Sequence, residues 1–256
     1  MRPRFFVEPN QINGDLISLD GDELVHLARV LRLQVGSAIV VCDGSGKEYQ
    51  AILQNIDSKL AVARITAIRD SLSEPRLKIT LVQGLPKADK LDFIVQKGTE
   101  IGLTAFMPVV TERTIVRLDG NKAVRRVERW QRIAKEAAKQ SGRALVPKVH
   151  MPVSWQESLS KFQEQPLGRR GFLPWEKATG GNLRDVLSAV GSSLDSAPPL
   201  DVWIFVGPEG GWSPKEVEEA GEAGITYLSL GARILRTETA GIVAASLVLY
   251  ESGDLG

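Results

Sequence analysis

The chain has 256 residues, 43% hydrophobic and 25% charged, enough for one large globular domain or for a small and a larger one. A single cysteine, Cys42, excludes an internal disulfide, and two widely separated histidines, His26 and His150, leave too few soft ligands for a zinc site, so metal-free chemistry in a reducing compartment is expected. The formal net charge of +1 gives no overall sign of a polyanionic partner, and no apolar run approaches the length of a membrane span, so a cytoplasmic protein is expected.

The first seventy or so residues carry short β-like runs: Phe5 to Val7, Leu16 to Leu19, Ala38 to Val41, Tyr49 to Leu53 and Leu60 to Ile68. Turns at Asn13-Gly14, Asp20-Gly21 and Asp43-Gly44-Ser45-Gly46 separate them, and one helix is expected over Asp22 to Leu31. Closely spaced strands with glycine turns predict a small barrel. After the charged stretch Arg69 to Arg76 the pattern changes to longer alternating units. Strands are predicted at Leu77 to Leu85, Ala105 to Val110, Gly171 to Pro174, Val202 to Val206 and Thr226 to Leu230. Helices are predicted at Leu91 to Ile101, Val124 to Ser141, Leu183 to Val190, Pro214 to Ala223 and Thr239 to Tyr250, with Gly191 to Pro199 a surface loop. Such alternation predicts an α/β fold, a mostly parallel sheet with helices on both faces.

Charge is uneven along the chain. From Lys122 to Arg143 eight basic residues stand against Glu128 and Glu136, while from Asp201 onward three basic residues stand against nine acidic ones. The basic run is either a solvated helix face or a surface for phosphates.

In a parallel sheet, ligands bind beyond the carboxyl ends of the strands. Two motifs fall there. After Val202-Trp203-Ile204-Phe205-Val206 comes Gly207-Pro208-Glu209-Gly210-Gly211-Trp212, then Ser213-Pro214-Lys215-Glu216, whose Ser, Pro and Glu predict a capped helix start. The glycines allow close approach of a ligand to the backbone, or merely make a tight turn. The sequence matches neither the Gly-x-Gly-x-x-Gly dinucleotide fingerprint nor a Gly-Lys-Ser/Thr phosphate loop, which disfavours a nicotinamide enzyme. The second motif, Leu230-Gly231-Ala232-Arg233-Ile234-Leu235-Arg236-Thr237-Glu238-Thr239-Ala240, leads into an apolar last helix, with Thr237 or Thr239 expected to cap it. Lys87 and Lys90 follow the strand ending Gln83-Gly84-Leu85-Pro86 and are either phosphate contacts or surface lysines. Arg143 is expected to project from a loop after Gly142. Cys42, His26 and His150 form no nucleophile grouping and are expected to be structural.

These segments together resemble the SPOUT-class methyltransferases that methylate N3 of a uridine in small-subunit (16S) ribosomal RNA. The resemblance is carried by Arg2-Pro3-Arg4-Phe5-Phe6, His26-Leu27, Val30-Leu31-Arg32, Gly36, Leu85-Pro86-Lys87, Gln96-Lys97, Glu100-Ile101-Gly102, Pro108, Glu136, Gln140-Ser141-Gly142-Arg143, the two C-terminal motifs and Gly253-Asp254-Leu255-Gly256. Ala232 departs from it, where many relatives have proline.

The resemblance implies a PUA-like RNA-binding β-barrel over residues 1–70 and a SPOUT domain over 77–256, with a deep trefoil knot and a homodimer. It implies S-adenosyl-L-methionine as cofactor and ribosomal RNA or the small subunit as partner. The cofactor loops then map to Leu173, to Val206, Gly207, Glu209, Gly210 and Gly211, and to Leu230, Gly231, Ile234, Leu235, Arg236 and Thr239. Arg236 is the candidate stabiliser of a uracil anion, Glu238 or Glu209 the candidate base, and Arg4, Arg29, Arg32, Lys87 and Arg143 the candidate RNA contacts. Both glutamates could instead fix the loops through backbone N–H groups. Methylation of a ribose 2′-hydroxyl or another base, or non-catalytic RNA binding, are the alternatives.

Overall fold

The computed structural model describes residues 2–116, 119–164, 168–178 and 200–255. The predicted helix over Leu183 to Val190 and the loop after it lie outside them. The described chain divides into two compact units, the first running to Glu74 and including Ala138–Val146, the second holding the rest.

The first unit contains β1 (Arg4–Phe6), β2 (Ile12–Asn13), β3 (Leu16–Leu19), α1 (Gly21–Val25), β4 (Ala38–Cys42), β5 (Lys47–Ile56) and β6 (Ala61–Asp70). Its sheet runs β1-β4-β5-β6-β3-β2, antiparallel except for β1 beside β4. Strict alternation sends Ala51, Leu53, Ala61 and Ala63 inward, where they join Phe5, Ile17, Leu19, Leu27 and Ile39 in one core. The Asp43-Gly44-Ser45-Gly46 turn is fixed by Asp43 Oδ1, which accepts from the Ser45 N–H at 2.9 Å, with Gly44 and Gly46 at φ +80° and +85°. The helix expected to run to Leu31 is α-helical only to Val25 and then widens into a π-turn over His26–Val30, where the Leu31 N–H reaches back to the His26 carbonyl.

The second unit contains β7 (Lys78–Gly84), α2 (Lys90–Ile101), β8 (Ala105–Val110), most of α3 (Gly120–Ser141), β9 (Lys148–Val149), β10 (Val153–Ser154), α4 (Trp155–Gln163), β11 (Arg169–Pro174), β12 (Asp201–Val206), α5 (Pro214–Glu222), β13 (Thr226–Leu228) and α6 (Thr237–Glu251). Strand order is β10-β8-β7-β12-β11-β13, with β9 also on β8, and every pairing is parallel. Period-two alternation divides the sheet's two faces. Val82, Trp203 and Phe205 pack with Trp155, Leu159 and Phe162 of α4 and Val217 and Ala220 of α5. The alternate residues Leu81 and Gln83 lie under Gly241 of α6, where a Cβ would meet Leu81 Cδ1 at 3.2 Å. Helices thus cover both faces, as the α/β pattern predicts. Helix α4 is an addition to the sequence reading, capped by Ser154, whose Oγ accepts from the Glu157 N–H at 3.2 Å.

Candidate cofactor and catalytic site

Strands β7, β12, β11 and β13 are neighbours, and their carboxyl ends point the same way. Four connecting segments therefore gather at one edge: residues 84–90, 174–176, 206–213 and 229–237. Two adjoining clefts open there, of about 500 and 360 Å³, and volumes of this order hold ligands of nucleoside size. Val206 to Trp212, Arg236 and Thr237 line the larger, Leu230 to Arg233 line the smaller, and Pro174, Glu176, Ile234, Leu235 and Ala240 are shared.

The glycine loop is held from behind at several points. Ser213 and Glu216 form the expected capping box at the start of α5. The buried Glu216 carboxylate also accepts the Glu112 N–H at 2.8 Å, fastening the loop to the segment after β8. Arg113 donates to the Gly210 carbonyl at 2.9 Å, and a Cβ on Gly210 would sit 2.9 Å from Arg113 Cβ. Trp212 is buried against Trp155, ring centroids 4.8 Å apart. Across the cleft, the second motif is open. Ile234 is 86% exposed, a large apolar side chain on the cleft wall, and Gly231 takes φ +101°, which favours glycine.

A charged cluster joins the two walls. Lys90 Nζ lies 2.9 Å from Glu209 of the glycine loop and 3.2 Å from Glu238 of α6. The Glu209 carboxylate also accepts the Lys87 N–H, at 3.1 and 3.3 Å to its two oxygens. Partial burial opposes ionisation of Glu209, but the Lys90 ammonium and loop N–H groups outweigh it and hold the carboxyl below its ordinary 4.5. The bond to Glu209 likewise lifts Lys90 above its ordinary 10.5. Arg236 reaches no closer than 4.0 Å to Glu238 and its side chain is 83% exposed, which leaves a guanidinium free to meet a ligand anion.

A family model described as an RNA methyltransferase domain matches residues 73–249, and a second, described as an RNA methyltransferase PUA domain, matches residues 19–66. The chain belongs to this RNA methyltransferase family. It is 36% identical over 252 residues to the ribosomal RNA small subunit methyltransferase E of Bacillus subtilis, covering 97% of this chain and 96% of that protein. The Synechocystis protein of the same name is also 36% identical, over 249 residues, covering 97% of this chain and 77% of the relative. The crystal structure of ribosomal RNA small subunit methyltransferase E from Neisseria gonorrhoeae bound to S-adenosyl methionine superposes with a TM-score of 0.82 at 33% identity, covering 98% of each chain.

Against this methyltransferase frame, the sequence-derived site residues sort unevenly. Val206, Gly207, Glu209, Gly210, Gly211, Leu230, Gly231, Ile234, Leu235 and Arg236 all line the clefts. Leu173 does not: it is fully buried in the core, and the next residues, Pro174, Trp175 and Glu176, form the wall at that strand end. Thr239 is exposed and does not line the clefts, its N–H donating to the Arg236 carbonyl. Neither threonine caps α6. Arg236 occupies the N-cap position without a side-chain bond, and Thr237 Oγ1 instead donates to the Gly207 carbonyl at 2.6 Å. Arg143 also departs from expectation: it is 2% exposed and grips Glu74 through Nε and Nη2, at 3.2 and 2.6 Å. An arginine so enclosed is a structural tie and not an RNA contact. Arg4 is largely used by Glu48 at 3.0 Å, while Arg29, Arg32 and Lys87 are exposed. Of the basic run, Arg126 and Arg129 pair with Asp89 and Asp92 respectively, and Lys139 with Glu23. Arg113 and Gln83 are site residues that the sequence does not mark, because neither has a spacing or cap pattern.

Proposed function

We propose that this RNA methyltransferase uses S-adenosyl-L-methionine to methylate N3 of a uridine in small-subunit ribosomal RNA. The observation that carries this reading is the meeting of the two loop motifs as opposite walls of one cleft at four adjacent parallel strand ends. The residues fit the cofactor: an exposed isoleucine wall suits an adenine ring, open glycine backbone offers hydrogen-bonding groups, and the Glu176 carboxylate, which lines both clefts, suits a cationic ligand. Gly207, Gly210, Gly211, Leu230, Gly231, Ile234 and Leu235 would hold it. The Neisseria gonorrhoeae relative, bound to S-adenosyl methionine, supports the same ligand here.

When bound, the cofactor supplies an electrophilic methyl group, so the protein's task is alignment and activation of the attacking nitrogen. Uracil N3 becomes nucleophilic once its proton leaves and charge spreads to the flanking carbonyl oxygens. The exposed Arg236 guanidinium stabilises that anion. Glu238 is the candidate proton acceptor, and its Lys90 ion pair must open for it to act. Glu209, engaged by both Lys90 and the Lys87 N–H, fixes the loop. N3 is hidden in a base pair, so the target is taken unpaired or turned out of its helix.

The same reading makes the first unit a PUA-like barrel over residues 1–70 with Arg29 and Arg32 as its RNA contacts, and gives the SPOUT domain at 77–256 an RNA contact of its own in Lys87. It includes a trefoil knot through the two loops and a homodimer, for which the half-exposed apolar residues Ile242, Val243 and Leu247 of α6 and Phe93 of α2 offer a face. Ribosomal RNA or the small subunit is the partner, in the cytoplasm. No helix among the described residues is long and apolar enough to cross a membrane.

Titration calorimetry with S-adenosyl-L-methionine and a methyl-transfer assay test the assignment of roles. Arg236→Ala is expected to bind the cofactor and lose at least about a hundredfold in rate. Near-normal transfer by that variant would remove Arg236 from the mechanism.

A further inference from the structure

Gln83, next to last in β7, is 0% exposed, an amide whose neighbours on the same face of the strand, Ile79 and Leu81, are apolar. Its Nε2 donates to Thr237 Oγ1 at 2.8 Å and lies 3.1 Å from the Gly84 carbonyl and 3.4 Å from those of Val206 and Gly207. Thr237 Oγ1 passes its own hydrogen to the Gly207 carbonyl at 2.6 Å. The chain Gln83–Thr237–Gly207 thus ties β7, the glycine loop and the first turn of α6. Surrounded by acceptors, the amide has only one sensible orientation, nitrogen toward the cleft loops. Its Oε1 is left buried with no donor.

A buried acceptor without a donor costs stability, and a methionine would fill the same space without that cost. The amide is therefore best explained by what Nε2 holds in place. We infer that Gln83 is a positioning residue for the cofactor site: through Thr237 it fixes the Gly207 carbonyl and sets the spacing of the two loop walls. The inference rests on the proposed S-adenosyl-L-methionine site. It goes beyond that site because Gln83 itself does not line the clefts.

The test is calorimetric titration of S-adenosyl-L-methionine into the full chain, with thermal melts of the same samples. Gln83→Met is expected to bind about tenfold more weakly, at a melting temperature close to that of wild type, since removal of the unpaired Oε1 offsets the loss of the Nε2 bonds. Thr237→Val is expected to match it, and Thr237→Ser, which keeps the hydroxyl, to recover most of the lost affinity. The double variant Gln83→Met/Thr237→Val should be no weaker than either single one, because both break the same relay. A Gln83→Met protein that melts early but binds the cofactor at wild-type affinity overturns the inference, since the amide is then only structural. Failure of Thr237→Ser to recover affinity also overturns it. If the wild-type chain itself binds no cofactor, the site assignment fails first and the inference with it.

Discussion

Gly84 places the close of β7 directly beneath the glycine loop, and adding a single methyl group there is a sharp test of how the site is held. A Cβ at residue 84 would stand 2.5 Å from Pro208 Cδ, 2.6 Å from Pro208 N and 2.9 Å from the Gly207 carbonyl carbon. Ordinary van der Waals contact begins near 3.4 Å, so one segment must retreat by about 1 Å, and the obstacle is backbone that cannot rotate away. Overpacking of this kind costs about 1–3 kcal/mol of stability. The larger effect should fall on function, because displacing a reactive constellation by about 1 Å costs on the order of a hundredfold in rate. Gly84→Ala is therefore expected to fold, to lose at least about tenfold in S-adenosyl-L-methionine affinity by calorimetry, and to lose more in methyl transfer. A variant that binds cofactor within about twofold of wild type and transfers methyl at the normal rate would show that the loop is not positioned by this contact.

Three further outcomes follow from the same geometry. Arg143→Ala should destabilise the chain by about 3–5 kcal/mol in denaturant unfolding by leaving the Glu74 carboxylate without its buried partner, while RNA affinity per folded molecule is unchanged; weaker RNA binding at normal stability would restore it as a contact. For Glu209, whose folded pKa lies below 4.5, the ion-pair contribution is fully present above that value and is lost as pH falls through the folded pKa. The contribution of Lys90, lifted above 10.5, persists until the pH rises through that raised value. The melting-temperature gap between wild type and Glu209→Gln should thus be flat from about pH 6 to 9 and shrink as the pH falls below 4.5, and a gap that stays constant or widens on acidification below 4.5 contradicts the pairing. At Cys42, burial outweighs the neighbouring Arg4 and pushes the thiol up to about 11, so iodoacetamide should label the folded chain about a hundredfold more slowly than the unfolded one; equal rates would mean the thiol is accessible.

What the sequence disclosed and what it hid have physical reasons. The start of α5 was readable to the residue, since Ser213, Pro214 and Glu216 are a complete local signal and the structure forms the capping box. The parallel sheet was readable because its strands are buried on both faces and show as continuous apolar runs, as in Val202 to Val206. Helix α4 is absent from the predicted elements although Trp155, Leu159 and Phe162 carry helical spacing, and β9 and β10, at two residues each, are too short for any pattern. The roles of Arg143 and Thr237 depend on partners remote in sequence, Glu74 for one and Gly207 with Gln83 for the other. Local motifs suggest an exposed arginine and a helix cap at these positions, and long-range contacts decide otherwise. The meaning of the two C-terminal loops came from their being brought together, which only the order β7-β12-β11-β13 accomplishes.

The central claim is tested most directly by incubating small ribosomal subunits that lack the modification with the protein and methyl-labelled S-adenosyl-L-methionine, then separating the digested nucleosides by mass spectrometry. The account predicts label in a single nucleoside, N3-methyluridine, and its loss with Arg236→Ala. Label in a 2′-O-methylated nucleoside or in another base would contradict the assigned chemistry, and no label at all would contradict the methyl-transfer reading itself.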